Sequence, residues 1–184
     1  EGCVVDAAIY DGSAHMMNLL MSIRQGGGFG ETRGHNLLDG PHWSRSYACA
    51  DGGYMTVQCL EPKFYAQFLQ FMGLSEDADF KRQFDKSLWP MLTGRLAGIF
   101  ASEPRAHWAA LFDGSDACVA PVLSPDEALT HPMNARGTWV EQEGVLQASP
   151  APRFDHAPAW QPQASPERGQ HSSEILAELG LNKE

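Results

Sequence analysis

The sequence predicts an α+β fold, and three patterns predict it. Apolar residues recur at helical spacing over residues 4–23 and 62–72, residues 47–60 alternate about Asp51-Gly52-Gly53, and residues 137–149 alternate about Glu143-Gly144. The chain has 184 residues and is 43% apolar, the size of an ordinary domain with enough apolar side chain to bury a core.

The elements follow in order. Val5, Ala8, Ile9, Met16, Leu19, Leu20 and Ile23 line one face of a helix. The chain opens on Glu1 rather than Met, with the apolar pattern under way from residue 3, so it reads as a fragment that begins mid-fold. The helix ends in QGGGFG (25–30), which does not make a GxGxxG phosphate cradle, because Glu31 and Arg33 follow it and no GK[ST] comes after. Residues 31–46 show neither period and read as an extended polar connection. In the hairpin at 47–60, Met55, Val57 and Cys59 face inward while Tyr54, Thr56 and Gln58 face water. A helix then runs from Pro62 to Met72, closed by Gly73.

Phe80, Phe84, Leu88 and Trp89 suggest a separate helical piece before a helix that carries Pro90 in its first turn and runs to about residue 101. Ser102 as N-cap, Pro104, an apolar set of Trp108, Leu111 and Phe112, and Gly114 punctuate the next short helix. Residues 117–123 read as a buried strand, and Ser124-Pro125-Asp126-Glu127 opens a helix to His131. Five of the twelve prolines fall within 149–169, which therefore reads as an extended arm. Ser172 or Ser173 caps a final amphipathic helix.

Composition excludes some partners. A formal charge of -10 and a pI near 5.1 argue against nucleic acid and anionic membranes, which select for Lys and Arg excess. No apolar run reaches the roughly 20 residues of a membrane span. No signal-peptide pattern is present, so the expected location is the cytoplasm. Cys3, Cys49, Cys59 and Cys118 lie far apart with no CxxC pair, which predicts reduced, mostly buried thiols. The seven histidines form no HxxxH pair, and no GxSxG elbow occurs, so neither a metal nor a nucleophilic site is expected.

Two features carry chemistry. Met16, Met17 and Met21 cluster on the first helix, either as core or as a pliable lining for an acyl chain, since unbranched thioethers conform to variable apolar shapes. Glu61 stands where the strand turns into the Pro62 helix. Its carboxylate can cap the helix, or it can accept a hydrogen bond from an imidazole elsewhere, fixing the tautomer and raising the basicity of a general base.

The blocks RGHNLLDG (33–40), DGGYMTVQCLEPKFY (51–65) and DACVAPVL (116–123), with WPMLTGRLAGIF (89–100) and GQHSSEILAELGL (169–181), resemble in order and spacing the C-terminal half of α-methylacyl-CoA racemases, within the family III CoA-transferases. The resemblance implies a small antiparallel-sheet-plus-helices α+β domain near 45–135. By the same resemblance, 1–44 form a helix and linker of a large α/β domain, and 136–184 a return hairpin, proline-rich arm and C-terminal helix. It implies removal of the proton alpha to a thioester and its return on the opposite face through an enolate, by a His and an Asp that both precede this sequence. Glu61 matches the glutamate that contacts that His, across to a partner subunit. Asp39, Gly40, Met16 and Met17 match the border of the acyl pocket.

The implied substrate is an acyl-CoA thioester without a further cofactor, and the implied partner is a second copy or the N-terminal half. The resemblance favours the racemase branch, because GGGFG (26–30) does not match the glycine-rich loop of the formyl- and carnitine-CoA transferases. PHWSRSY (41–47) departs from the usual aromatic and acidic run. CoA transfer through an aspartate nucleophile is the alternative, and a truncated, non-catalytic module is the third reading.

Overall fold

Residues 44–58 fold back on themselves because Gly52, at φ 80°, allows a backbone turn that a side chain would oppose. The computed structural model describes residues 2–142, 144–156 and 165–181. Strand β1 (Ser44–Ala48) pairs antiparallel with β2 (Tyr54–Gln58), with Ser44 opposite Gln58 and Tyr47 opposite Met55. Strand β3 (Val119–Val122) joins the other side of β2, giving the order β1-β2-β3. The first half of the hairpin thus begins inside the stretch that shows no period, and Pro41, His42, Trp43 and Ser44 within it are buried. The chain divides into two units, Glu1–Val122 and Leu123–Glu184.

In the first unit the inner sheet face carries Tyr47, Met55 and Val57, all buried, and Cys59 beyond the strand end is buried with them, as alternation predicts. Three helices complete this core. They are α3 (Pro62–Phe71), α4 (Trp89–Phe100) and α5 (Arg105–Phe112), which contribute Phe68, Leu92, Leu96, Phe100, Trp108 and Phe112 to the same cluster. Each fully buried large apolar side chain stabilises the fold by about 1.5–3 kcal/mol, so this cluster dominates the unit's stability. Gly73 closes α3 at φ 67°.

Several local expectations are corrected. The first helix is broken at Met17 into α1 (Ile9–Met16) and α2 (Asn18–Gln25), and no residue of either is buried. Residues 75–88 form turns rather than a helical piece. Asp77 accepts from the amides of Asp79 and Phe80, and Arg95 pairs with Asp77 while lying 4.7 Å over the Phe80 ring. Ser102 does not cap α5. Its hydroxyl donates to the Ile99 carbonyl, and the carboxylate of Asp51 in the hairpin turn accepts from the Arg105 amide at 3.2 Å. A cap drawn from 54 residues away ties the turn to the helix. Strand β3 is half exposed, because it forms a sheet edge, where Pro121 is tolerated. Of the four cysteines only Cys49 and Cys59 are buried.

In the second unit, Ser124 and Glu127 form a reciprocal capping box at the start of α6 (Pro125–Thr130), and a short 3-10 helix follows at Pro132–Arg136. Strands β4 (Trp139–Gln142) and β5 (Val145–Ala148) make the second hairpin. The final helix, α7 (Ser172–Glu178), has His171 at its N-cap without a side-chain cap bond, so neither Ser172 nor Ser173 plays that part. The proline-rich arm carries no helix or strand at 149–156 and 165–169, and the remainder of that expectation lies outside the described residues.

Candidate functional site

Glu61 ends an extended segment, at φ -73° and ψ 136°, and Pro62 starts α3 directly after it. The Glu61 carbonyl accepts from the amides of Phe64 and Tyr65, each at 3.0 Å, so its backbone opens the helix. Its side chain makes no cap hydrogen bond and is exposed. The carboxylate is therefore not used as a helix cap, and among the described residues it has no hydrogen bond or ion pair. It stays available to a group outside this network.

The junction that presents it is tightly held. The Cys59 amide donates to the Trp43 carbonyl at 3.1 Å, and the Gln58 amide donates to the Cys118 carbonyl at 3.0 Å. Gln83, itself buried, donates its side-chain amide to the carbonyls of Cys59 (3.0 Å) and Leu60 (2.9 Å). Cys118 sits at φ 54°, a conformation that non-glycine residues rarely adopt. Partial desolvation and then the Glu61 carboxylate push the thiol of this exposed residue upward, away from thiolate. Burial pushes the Cys59 thiol up to about 12, so this neighbouring sulfur is an inert core atom.

Asp39 and Gly40 lie at the same end of the hairpin. Ser44, paired with Gln58, places its hydroxyl 3.0 Å from Gln58 Oε1 and 3.4 Å from the Leu38 carbonyl, and Arg45 donates to the Asp39 carbonyl at 3.1 Å. The Asp39 carboxylate accepts from the amides of Gly34 (2.8 Å) and Asn36 (2.9 Å), and the Gly34 bond is the chief reason that its carboxyl is held below the ordinary aspartate value. Both its oxygens are thus engaged in closing the loop. Gly40 is required by close approach: a Cβ there would lie 2.8 Å from the Gly34 carbonyl oxygen and 2.9 Å from that of Asn36. Met16 and Met17 form the joint between α1 and α2, with 83% and 45% exposure. They belong neither to the core nor to the hydrogen bonds of the junction.

The structure brings in residues with no sequence signal of this role. His42 is fully buried, with Nε2 2.7 Å from the Tyr65 hydroxyl, which donates onward to the Phe80 carbonyl at 2.8 Å. A hydroxyl has one proton, so His42 carries its own on Nε2. Nδ1 has no partner among the described residues. Burial, with the nearby Arg45 charge, lowers the His42 pKa to about 4, so the ring is neutral at neutral pH. Gln83 and His42 sit in turns, where no period marks an inward side chain; the aromatic residues Trp43 and Tyr47 beside His42 are the one available hint.

Residues 1–172 match the model of CoA-transferase family III. The chain is 36% identical to the α-methylacyl-CoA racemase of Mus musculus and 34% identical to that of Homo sapiens, in each case over 100% of this chain and 49% of the relative. It therefore spans about half the length of these curated relatives. Among solved structures it is similar to a hypothetical protein of Mycobacterium tuberculosis, with TM-score 0.71 and 20% identity over 94% of this chain and 47% of that one. It is also similar to a CaiB/BaiF family protein of Brucella suis, with TM-score 0.68 and 20% identity over 95% and 47%. Those structural likenesses agree with the α+β architecture, and the sequence matches over the whole chain carry the assignment: the chain belongs to the family III CoA-transferases.

Proposed function

We propose that this chain is the C-terminal portion of an α-methylacyl-CoA racemase, which interconverts R and S 2-methylacyl-CoA thioesters through an enolate. The observation that carries the proposal is Glu61, an exposed carboxylate with no partner among the described residues, presented by a backbone held on both sides. A carboxylate in that state accepts the N–H of an imidazole and so fixes which ring nitrogen stays free to take the substrate's alpha proton. The imidazole and the acidic group that returns the proton come from polypeptide outside this sequence, through a second copy or through the preceding half of the same enzyme. On this reading the chain alone is inactive.

The CoA thioester is the substrate and no further cofactor takes part. The loop closed by Asp39 and Gly40 shapes the pocket border through its backbone, and Met16 and Met17 offer the acyl chain a deformable wall. The residues near 45–135 form the small domain, the flanks associate with a large α/β domain, and the enzyme works in the cytoplasm. No helix among the described residues is long and apolar enough to cross a membrane.

The test is exchange of the alpha proton of a 2-methylacyl-CoA in deuterated water, with no acceptor acid present. The chain is assayed alone and together with a polypeptide equivalent to the half of the mouse racemase that it does not match. Exchange in the combined sample alone is the expected result. Exchange by the isolated chain refutes the missing acid–base pair, and CoA transfer to an added carboxylate without exchange identifies the transferase alternative.

A further inference from the structure

Gln83 is a buried polar residue that bonds to two separate parts of the first unit. Its own carbonyl accepts the indole N–H of both Trp43 (3.1 Å) and Trp89 (2.9 Å), which fixes its backbone against two buried rings. Its side chain then reaches back to two consecutive carbonyls, Cys59 at 3.0 Å and Leu60 at 2.9 Å. A carbonyl oxygen only accepts, so the NH2 end of the amide must face the junction, and both of its protons are engaged there. Leu60 immediately precedes Glu61, so the last two peptide units before the carboxylate are held by one buried amide from a separate turn. The far side of Glu61 is held by the helix amides of Phe64 and Tyr65.

We propose that Gln83 is a positioning residue for Glu61, holding the Cys59–Leu60 peptides so that the carboxylate points at its imidazole partner in one direction. This rests on the racemase reading above. Gln83 touches neither substrate nor the reacting atoms. Its contribution is the orientation of a group that acts on the general base, so its loss lowers turnover and leaves substrate affinity in place.

Two variants test it in the combined enzyme sample. Gln83→Met keeps length and apolar bulk but donates nothing, and it is expected to lower kcat about tenfold at unchanged KM. Gln83→Glu presents only acceptors when ionised and regains one O–H donor when protonated, so its kcat is expected to recover as pH is lowered from 8 to 6, a trend absent from Gln83→Met. Independently of activity, hydrogen exchange at the Phe64 and Tyr65 amides should speed up in Gln83→Met, while the Leu92 amide in α4 keeps its protection.

Wild-type kcat in a folded Gln83→Met, a Gln83→Glu pH profile that tracks the parent, or unchanged exchange at Phe64 and Tyr65 would each overturn the proposal. Glu61→Gln separates the two levels. If it is impaired while Gln83→Met is not, only the positioning role fails; if Glu61→Gln turns over normally, the racemase role of Glu61 fails with it.

Discussion

Helix α3 and the α1–α2 pair carry the same kind of apolar pattern and end in opposite environments. On α3, Tyr65, Phe68 and Leu69 are buried against the sheet and its neighbouring helices, whereas on α1 and α2 no residue is buried and Ile9 is 89% exposed. Helical spacing reports that one face is apolar, but burial needs a second surface of matching shape. For α3 that surface is in the same unit, built from β2, α4 and α5. For α1 and α2 it is not among the described residues. The difference separates the part of the chain that stabilises itself from the part that offers an apolar face.

The sharpest way to break this contrast is truncation. Phe68→Ala should cost about 3–5 kcal/mol by urea denaturation, while Ile9→Ala should stay within about 0.5 kcal/mol. Equal losses would show that the N-terminal helices are as well packed as α3.

The buried side also has an acid sensitivity, centred on His42. His42 titrates near 6.5 when unfolded and near 4 when folded, so between these values the unfolded chain holds more protons. Its contribution to stability is complete above pH 6.5 and falls away as pH drops toward 4, by about 3 kcal/mol at most. Denaturation at pH 7 and pH 4.5 should show this loss, and His42→Gln should flatten it. A smaller effect concerns the long-range cap: Asp51→Ala should lower the denaturation midpoint, and Ser102→Ala should leave it nearly unchanged. Smallest in stability is the double change Met16→Gln and Met17→Gln, within about 0.5 kcal/mol, which should nevertheless raise KM for a long-chain 2-methylacyl-CoA in the combined enzyme sample.

Legibility in the sequence followed the range over which each interaction acts. The hairpins, the start of α3 at Pro62 and the capping box at Ser124 depend on neighbours within a few residues, and alternation, proline and Ser-x-x-Glu spacing mark them. The cap of α5 by Asp51, the edge position of β3 and the burial of His42 depend on residues brought together by the fold. At the site, the position of Glu61 before an N1 proline could be read locally, but that local pattern points to a helix cap, which the side chain does not form, and only the family resemblance ties it to an imidazole. Gln83 had no such mark, since its partners are 23 and 24 residues away and it lies in a turn without period.

The proposed role of the Glu61 carboxylate is to act on an imidazole supplied from outside this sequence. Its most direct test is the alpha-proton exchange rate of Glu61→Gln in the combined enzyme sample, with folding checked by urea denaturation. The rate should fall about 10- to 100-fold, part of the effect that general acid–base groups supply, with the denaturation midpoint unchanged. A folded Glu61→Gln variant that exchanges at the parent rate would contradict it.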